Sequence, residues 1–192
     1  MTRAFEIFAA AGWVAWPLLA LSVVSVAVCL ERAVAFWWVR RRLDGPAAVA
    51  GVLSGRGVEG LAGRFLAEVR SSAGDGPVGE AAVLAALESS RARLERYLPL
   101  LSTAITAAPM LGILGTVTGI IQSFGLLGEA ETVRDTTAMA AGISEALYTT
   151  AFGLGLALVL VLPYNLFRGW ASRSLSELET VGVAAMEAGP GG

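Results

Sequence analysis

The chain has 192 residues and a formal net charge of −2, with 55% hydrophobic and only 16% charged residues and a mean hydropathy of +0.66. That is far more apolar than an ordinary soluble domain, so the chain reads as a membrane protein. It has no histidine and a single cysteine, Cys29; no intrachain disulfide or cysteine-based metal site can be built, and a catalytic triad or haem ligation has almost nothing to draw on. The composition weighs against an enzyme and implies no metal and no cofactor.

Three charge-free runs, 7–30, 97–128 and 146–167, each exceed the roughly 20 residues that an α-helix needs to cross the hydrocarbon core. The expected fold class is therefore an all-α integral membrane protein with three transmembrane helices and long cytoplasmic helical extensions. The spans are placed at about 11–39, 97–126 and 138–168, separated by a loop at 40–96 and a short connection at 127–137, with a tail at 169–192. The first run could be mistaken for a secretory signal, because Arg3 precedes it and Ser25-Val26-Ala27 looks like a cleavage site. Its apolar core is longer than the roughly 7 to 15 residues of a signal, so it reads as a retained anchor. Trp13 and Trp16 at one end and Trp37 and Trp38 at the other stand about 33–36 Å apart along a helix, which suits two interfacial belts. Glu31-Arg32 reads as an anchor at the cytoplasmic end, the arginine snorkelling toward headgroups.

Ten arginines, from Arg32 to Arg96, lie between the first and second charge-free runs, whereas the short connection carries Arg134 alone against Glu129, Glu131 and Asp135. By the positive-inside rule the long loop is cytoplasmic, the amino terminus is outside, and the tail with Arg168 and Arg173 is inside. Acidic residues are interleaved with the loop arginines, so no nucleic acid is implied. Short helices are expected around 46–54 and 57–71. From Gly79 a further helix, with Val83, Leu84, Leu87, Leu94 and Leu98 recurring on one side, is expected to run into the second span, kinked at Pro99. The roughly 70-residue cytoplasmic part looks too small and glycine-rich to make a core of its own, which leaves one domain, 1–192.

The second span carries small or polar residues at Ser102, Thr106, Pro109, Gly112, Thr116, Gly119 and Ser123. Their mean spacing of 3.5 predicts one continuous stripe. One reading is a helix-packing seam, with Gly115 and Gly119 as a GxxxG pair. The other is a polar face with a function. Counting along the two helices puts Thr116 and Thr150 at nearly one level, with Glu145 roughly 7–8 Å further outward. A carboxylate near a ring of threonines is the kind of placement that marks an ion pathway, although a glutamate at a helix boundary also serves as an interfacial residue. Residues 112–119 do not form a phosphate-binding loop, since the chain contains no lysine.

At these residues the chain resembles the MotA/TolQ/ExbB proton-channel family, in its three-span ExbB/TolQ branch. The resemblance covers Pro17-Leu18 through Glu31-Arg32, Ala108-Pro109 through Gly119-Ile120, and Gly142 through Tyr164-Asn165; the loop at 43–78 matches nothing reliable. It implies a homopentamer whose second and third helices line a pore holding two copies of an ExbD/TolR-like single-span partner. In that family a membrane aspartate of the partner takes and releases protons, and the facing threonines correspond to Thr116 and Thr150, with Glu145 as the glutamate of Glu-Ala-Leu. Thr149 adds a second hydroxyl, which leaves open which of the two faces the pore. Gly153 falls in the Thr-Ala-x-Gly segment and is assigned to helix packing or the partner seat.

The function implied is the stator subunit of an inner-membrane motor that couples proton flow, with sodium left open, to outer-membrane import or envelope maintenance through a TonB/TolA-like protein. A flagellar MotA-like stator and a purely structural scaffold stand as alternatives. A self-sufficient channel is disfavoured by the lack of an ionisable residue at mid-membrane and of an inverted repeat. Independently of the resemblance, threonine hydroxyls do not titrate at physiological pH, so the chain needs a proton carrier from another polypeptide.

Overall fold

A computed structural model of the chain describes residues 12–40, 45–54, 57–74, 76–129 and 136–188. The described residues are helical nearly throughout. After a 3-10 turn at Gly12–Val14 come α1 (Ala15–Arg40), α2 (Gly45–Leu53), α3 (Gly60–Ala73), α4 (Glu80–Glu95), α5 (Leu98–Glu129) and α6 (Thr136–Glu187). Three helices are long and apolar enough to cross a membrane, within Ala15–Val34, Glu80–Gly125 and Met139–Glu187. The 52 residues of α6 reach about 78 Å, more than twice the hydrocarbon thickness.

The helix from Gly79 does not run unbroken into the second span. It stops at Glu95, and α5 starts at Leu98, after a two-residue turn at Arg96-Tyr97. Pro99 supplies the reason: it has no N–H to give the carbonyl of residue 95, and its ring crowds that carbonyl, whereas the first turn of a new helix tolerates it. Pro109 and Pro163 lie inside α5 and α6 without ending them.

The chain divides into two compact units. One comprises Met1–Cys29 and Pro99–Tyr164, the other Leu30–Leu98 and Asn165–Gly192. Within the first, Val14 of the 3-10 turn is buried, α1 buries Ala15, Leu18, Ser25 and Val28, α5 buries Leu101, Ala104 and Ala108, and α6 buries Ala146, Leu156, Ala157 and Leu160.

The second unit builds the core that the loop alone was expected to lack. Phe65 and Val69 of α3, Ala82, Val83 and Ala86 of α4, and Ala48 of α2 close around Leu178 and Val181 of α6, with Val58, Leu61 and Met186 packed against them. The tail helix completes what the loop cannot. On α4 the buried positions are Ala82, Val83, Ala86, Ser90 and Leu94, so Leu84, expected on the apolar side, is 57% exposed; it lies one residue, about 100°, round the helix from Val83. Helix α3 ends at Gly74, whose positive φ of 62° lets its N–H turn back to the Arg70 carbonyl. Glu68 of α3 accepts a hydrogen bond from Arg93 of α4 at 2.6 Å. That bond, seconded by one from Ser89, holds the Glu68 carboxyl below its usual range.

Candidate functional site

Helices α5 and α6 meet along a seam of small residues. On α5 it runs through Ala104, Ala108, Gly112, Gly115, Gly119 and Ser123, of which all but the half-buried Gly119 are buried. The partners on α6 descend as α5 ascends: Gly153 packs on Ala108, Thr150 on Gly112, Thr149 on Gly115, Ala146 on Gly119 and Gly142 on Ser123. That antiparallel register needs glycine at two points above all. A Cβ on Gly153 would fall on the Ala108 carbonyl oxygen, and one on Gly112 would come within 3.0 Å of the Thr150 Cα. In lipid, where apolar side chains gain nothing by leaving their surroundings, close backbone approach of this kind holds helices together.

The stripe expected on α5 splits in two. Gly112, Gly119 and Ser123 belong to the seam with Gly115, but Ser102, Pro109 and Thr116 are half-buried and Thr106 is exposed. Counting at 100° per residue, Ser102 and Thr106 lie roughly 80–120° round the helix from Gly112. The seam continues instead through Ala104 and Ala108.

Where the seam meets the flank, two hydroxyls come together. Thr150 Oγ1 donates across to the Gly112 carbonyl at 2.8 Å and stands 3.3 Å from Thr116 Oγ1. Thr116 in turn donates to its own Ile113 carbonyl at 2.7 Å. The two threonines thus share one level. Both are half-buried. Thr149, 5% exposed, is turned into the seam against Gly115 and donates to Ala146 O at 2.6 Å. Thr150 is therefore the hydroxyl that stands beside Thr116.

Glu145 is half-buried but is not brought to this pair. Five residues separate it from Thr150, about 140° round the helix, which puts the two on opposite flanks of the seam. Trp13 and Trp16 are 61% and 68% exposed, and Glu31 is exposed. The side chains of Trp37 and Trp38 lie outside those described.

Arg32, expected as a snorkelling anchor, also makes contacts within the chain. Its guanidinium donates to the carbonyls of Leu94 at 3.2 Å and Arg93 at 3.5 Å, and stacks 4.8 Å from the centre of the Tyr97 ring. It caps the last turn of α4, whose free carbonyls and negative dipole end attract a cation. Sequence spacing carries no signal for a pair 62 residues apart; the alanines of the seam had one, in the four-residue repeat Ala104, Ala108, Gly112. Among the described residues no group of three His, Cys, Asp or Glu could hold a metal ion.

Comparison with known proteins places the chain in a family. Residues 62–180, most of the chain and all of the α5–α6 seam, match the model of the MotA/TolQ/ExbB proton channel family. An ExbB-like biopolymer transport protein of Synechocystis sp. is 32% identical over 197 residues, covering 94% of this chain and 76% of its own length. A second ExbB-like protein of that organism is 29% identical over 88% of this chain and 87% of its own. The Tol-Pal system protein TolQ of Pseudomonas aeruginosa is 40% identical over 86 residues, 45% of this chain and 37% of its own. With a family match spanning more than half its length and a relative of this identity along almost all of it, the chain belongs to the MotA/TolQ/ExbB proton channel family.

Proposed function

We propose that this chain is the stator subunit of a proton-driven motor in a bacterial inner membrane. Five copies surround a pore lined by α5 and α6, and two copies of an ExbD/TolR-like single-span partner occupy it. The amino terminus is outside and the tail cytoplasmic, and a TonB/TolA-like protein carries the motion to the outer membrane. The whole chain acts as one membrane domain, with lipid covering the exposed apolar faces of its spans.

The observation that carries this reading is the Thr116–Thr150 pair, two hydroxyls from different membrane helices 3.3 Å apart. Bulky residues cover the neighbouring surface, Ile113, Val117 and Ile121 on α5 and Leu154 and Leu158 on α6. A hydroxyl pair in such surroundings offers a polar seat to a carboxyl group from another chain, and the relatives' names point to biopolymer transport and the Tol-Pal system. Each proton crossing about 100 mV releases roughly 2.3 kcal/mol. A membrane aspartate can turn that into movement when its charged and neutral forms prefer different seats, and five equivalent seats around an asymmetric pair of helices favour rotation.

The test is proton uptake by vesicles holding this chain together with a single-span, aspartate-bearing subunit encoded beside it. Thr150→Val is expected to leave the assembly intact and to lower uptake about tenfold or more, which needs only about 1.4 kcal/mol on the barrier. Glu145→Ala is expected to abolish proton-dependent work as well. Unchanged flux in both variants would leave only the scaffold reading, in which the seam does nothing but pack helices.

A further inference from the structure

Two guanidinium groups share one aromatic ring at the turn between α4 and α5. The Arg32 guanidinium carbon stands 4.8 Å from the centre of the Tyr97 ring, and that of Arg96 stands 5.2 Å from it. Both positive charges therefore gather at one point. Nearby arginines on α4 are matched by carboxylates: Arg93 pairs with Glu68 at 2.6 Å, and Arg91 with Glu88 at 3.7 Å and Glu95 at 4.0 Å. Arg32 and Arg96 form no ion pair among the described residues. Glu31 is next to Arg32 in sequence, but it is exposed and lies about 100° round α1.

Neither guanidinium has used up its donors. Arg32 gives two of its five N–H groups to the carbonyls of Leu94 and Arg93. Arg96 is exposed and makes no side-chain hydrogen bond among the described residues. The place of the cluster also matters. The apolar stretch of α1 ends at Val34, and the charge-free run of the second span begins at Tyr97, so the cluster lies where hydrocarbon gives way to headgroups, the level at which tyrosine and arginine are favoured. A cation at that depth is costly without a counter-charge, and the chain supplies none.

We infer that Arg32, Tyr97 and Arg96 bind the phosphate of an anionic phospholipid headgroup. The two unesterified oxygens of a phosphodiester match the planar fork of a guanidinium, which can donate to both at once. The Tyr97 ring holds the two guanidinium groups over one spot by cation–π attraction. One arginine would suffice for a headgroup that carries its own cation, such as choline; two select a headgroup with a net negative charge. The bound lipid ties the end of α1, through Arg32, to the turn that carries Arg96 and Tyr97. This site does not depend on what the motor drives, and its failure would leave the proposed function standing.

The test places the full chain in nanodiscs of phosphatidylglycerol and phosphatidylcholine in equal amounts and releases it into a native mass spectrometer, which counts the phospholipids that stay bound. The natural chain is expected to keep phosphatidylglycerol over phosphatidylcholine by about 25-fold, each arginine contributing about fivefold. Arg96→Gln is expected to reduce the preference to about fivefold with the thermal midpoint unchanged, because Arg96 takes no part in capping α4. The double variant Arg32→Gln, Arg96→Gln is expected to show no preference, and Arg96→Lys, which keeps the charge, to retain it. A preference that survives in the double variant would overturn the inference. Loss of both lipids together would overturn it too, since the arginines would then be holding the fold and not a headgroup. Displacement of the lipid by millimolar inorganic phosphate would assign the site to a soluble anion instead.

Discussion

The two units of this chain solve the same problem, holding helices side by side, in opposite ways. Along the α5–α6 seam the contacts are Gly112, Gly115, Ala108, Ala146 and Gly153, and the bulky residues Ile113, Val117, Leu154 and Leu158 turn outward. In the other unit the order reverses: Phe65, Val69, Leu178 and Val181 are at most 1% exposed, and charged residues cover the outside, with ion pairs such as Arg93–Glu68 and Arg91–Glu88. The solvent explains the difference. Water drives large apolar side chains together, whereas hydrocarbon is as apolar as leucine and leaves close backbone packing as the main attraction. Helix α6 obeys both rules in one continuous stretch, since Gly153 and Val181 lie on the same helix.

The sharpest way to break this comparison is to delete side-chain volume in the watery unit. Phe65→Ala is expected to cost about 3–5 kcal/mol there. Hydrogen exchange should show the largest loss of protection at 60–95 and 165–187, and a loss concentrated instead at 104–120 would contradict the division. Adding volume should be the damaging change along the seam. Gly153→Ala places a methyl group on a backbone carbonyl that cannot turn aside, so it is expected to cost about 1–3 kcal/mol, read as a lower thermal midpoint in detergent. A neutral result would mean that α5 and α6 are not packed as closely as the structure has them.

The smallest effect is electrostatic. The Glu68 carboxyl is held below its unfolded value of about 4.3, first by the Arg93 hydrogen bond. Its contribution is present in full above that value and is lost as the pH falls through the lower folded value. Glu68→Gln should therefore cost under about 1 kcal/mol at neutral pH, because the pair is largely exposed, and the difference from the natural chain should vanish in acid. Thermal midpoints of the two proteins measured from pH 7 down to 3 would show it.

How legible each region was in the sequence follows from the same physics. Apolar runs of span length announce membrane helices, so three of them could be read directly, and counting residues was enough to put Thr116 and Thr150 at one level. The partners along the seam were harder, because Ala104, Ala108 and Ala146 are silent in any hydropathy pattern, and only the four-residue spacing of Ala104, Ala108 and Gly112 hints at a shared face. The watery core was the least legible. Its loop reads as glycine-rich and incomplete until Leu178 and Val181 arrive more than a hundred residues after Phe65. The contacts of Arg32 were illegible for a related reason, since nothing nearby in sequence reveals that the last carbonyls of α4 stand within its reach.

The central claim is that hydroxyls from α5 and α6 converge on a seat for another chain's carboxyl group. A cryo-electron microscopy map of this chain in nanodiscs with its single-span partner tests that claim most directly. The account predicts a partner carboxyl within hydrogen-bonding distance of the Thr116 and Thr150 oxygens, inside a ring of copies of this chain. Finding those two side chains turned toward acyl chains, with the partner's carboxyl elsewhere, would contradict it.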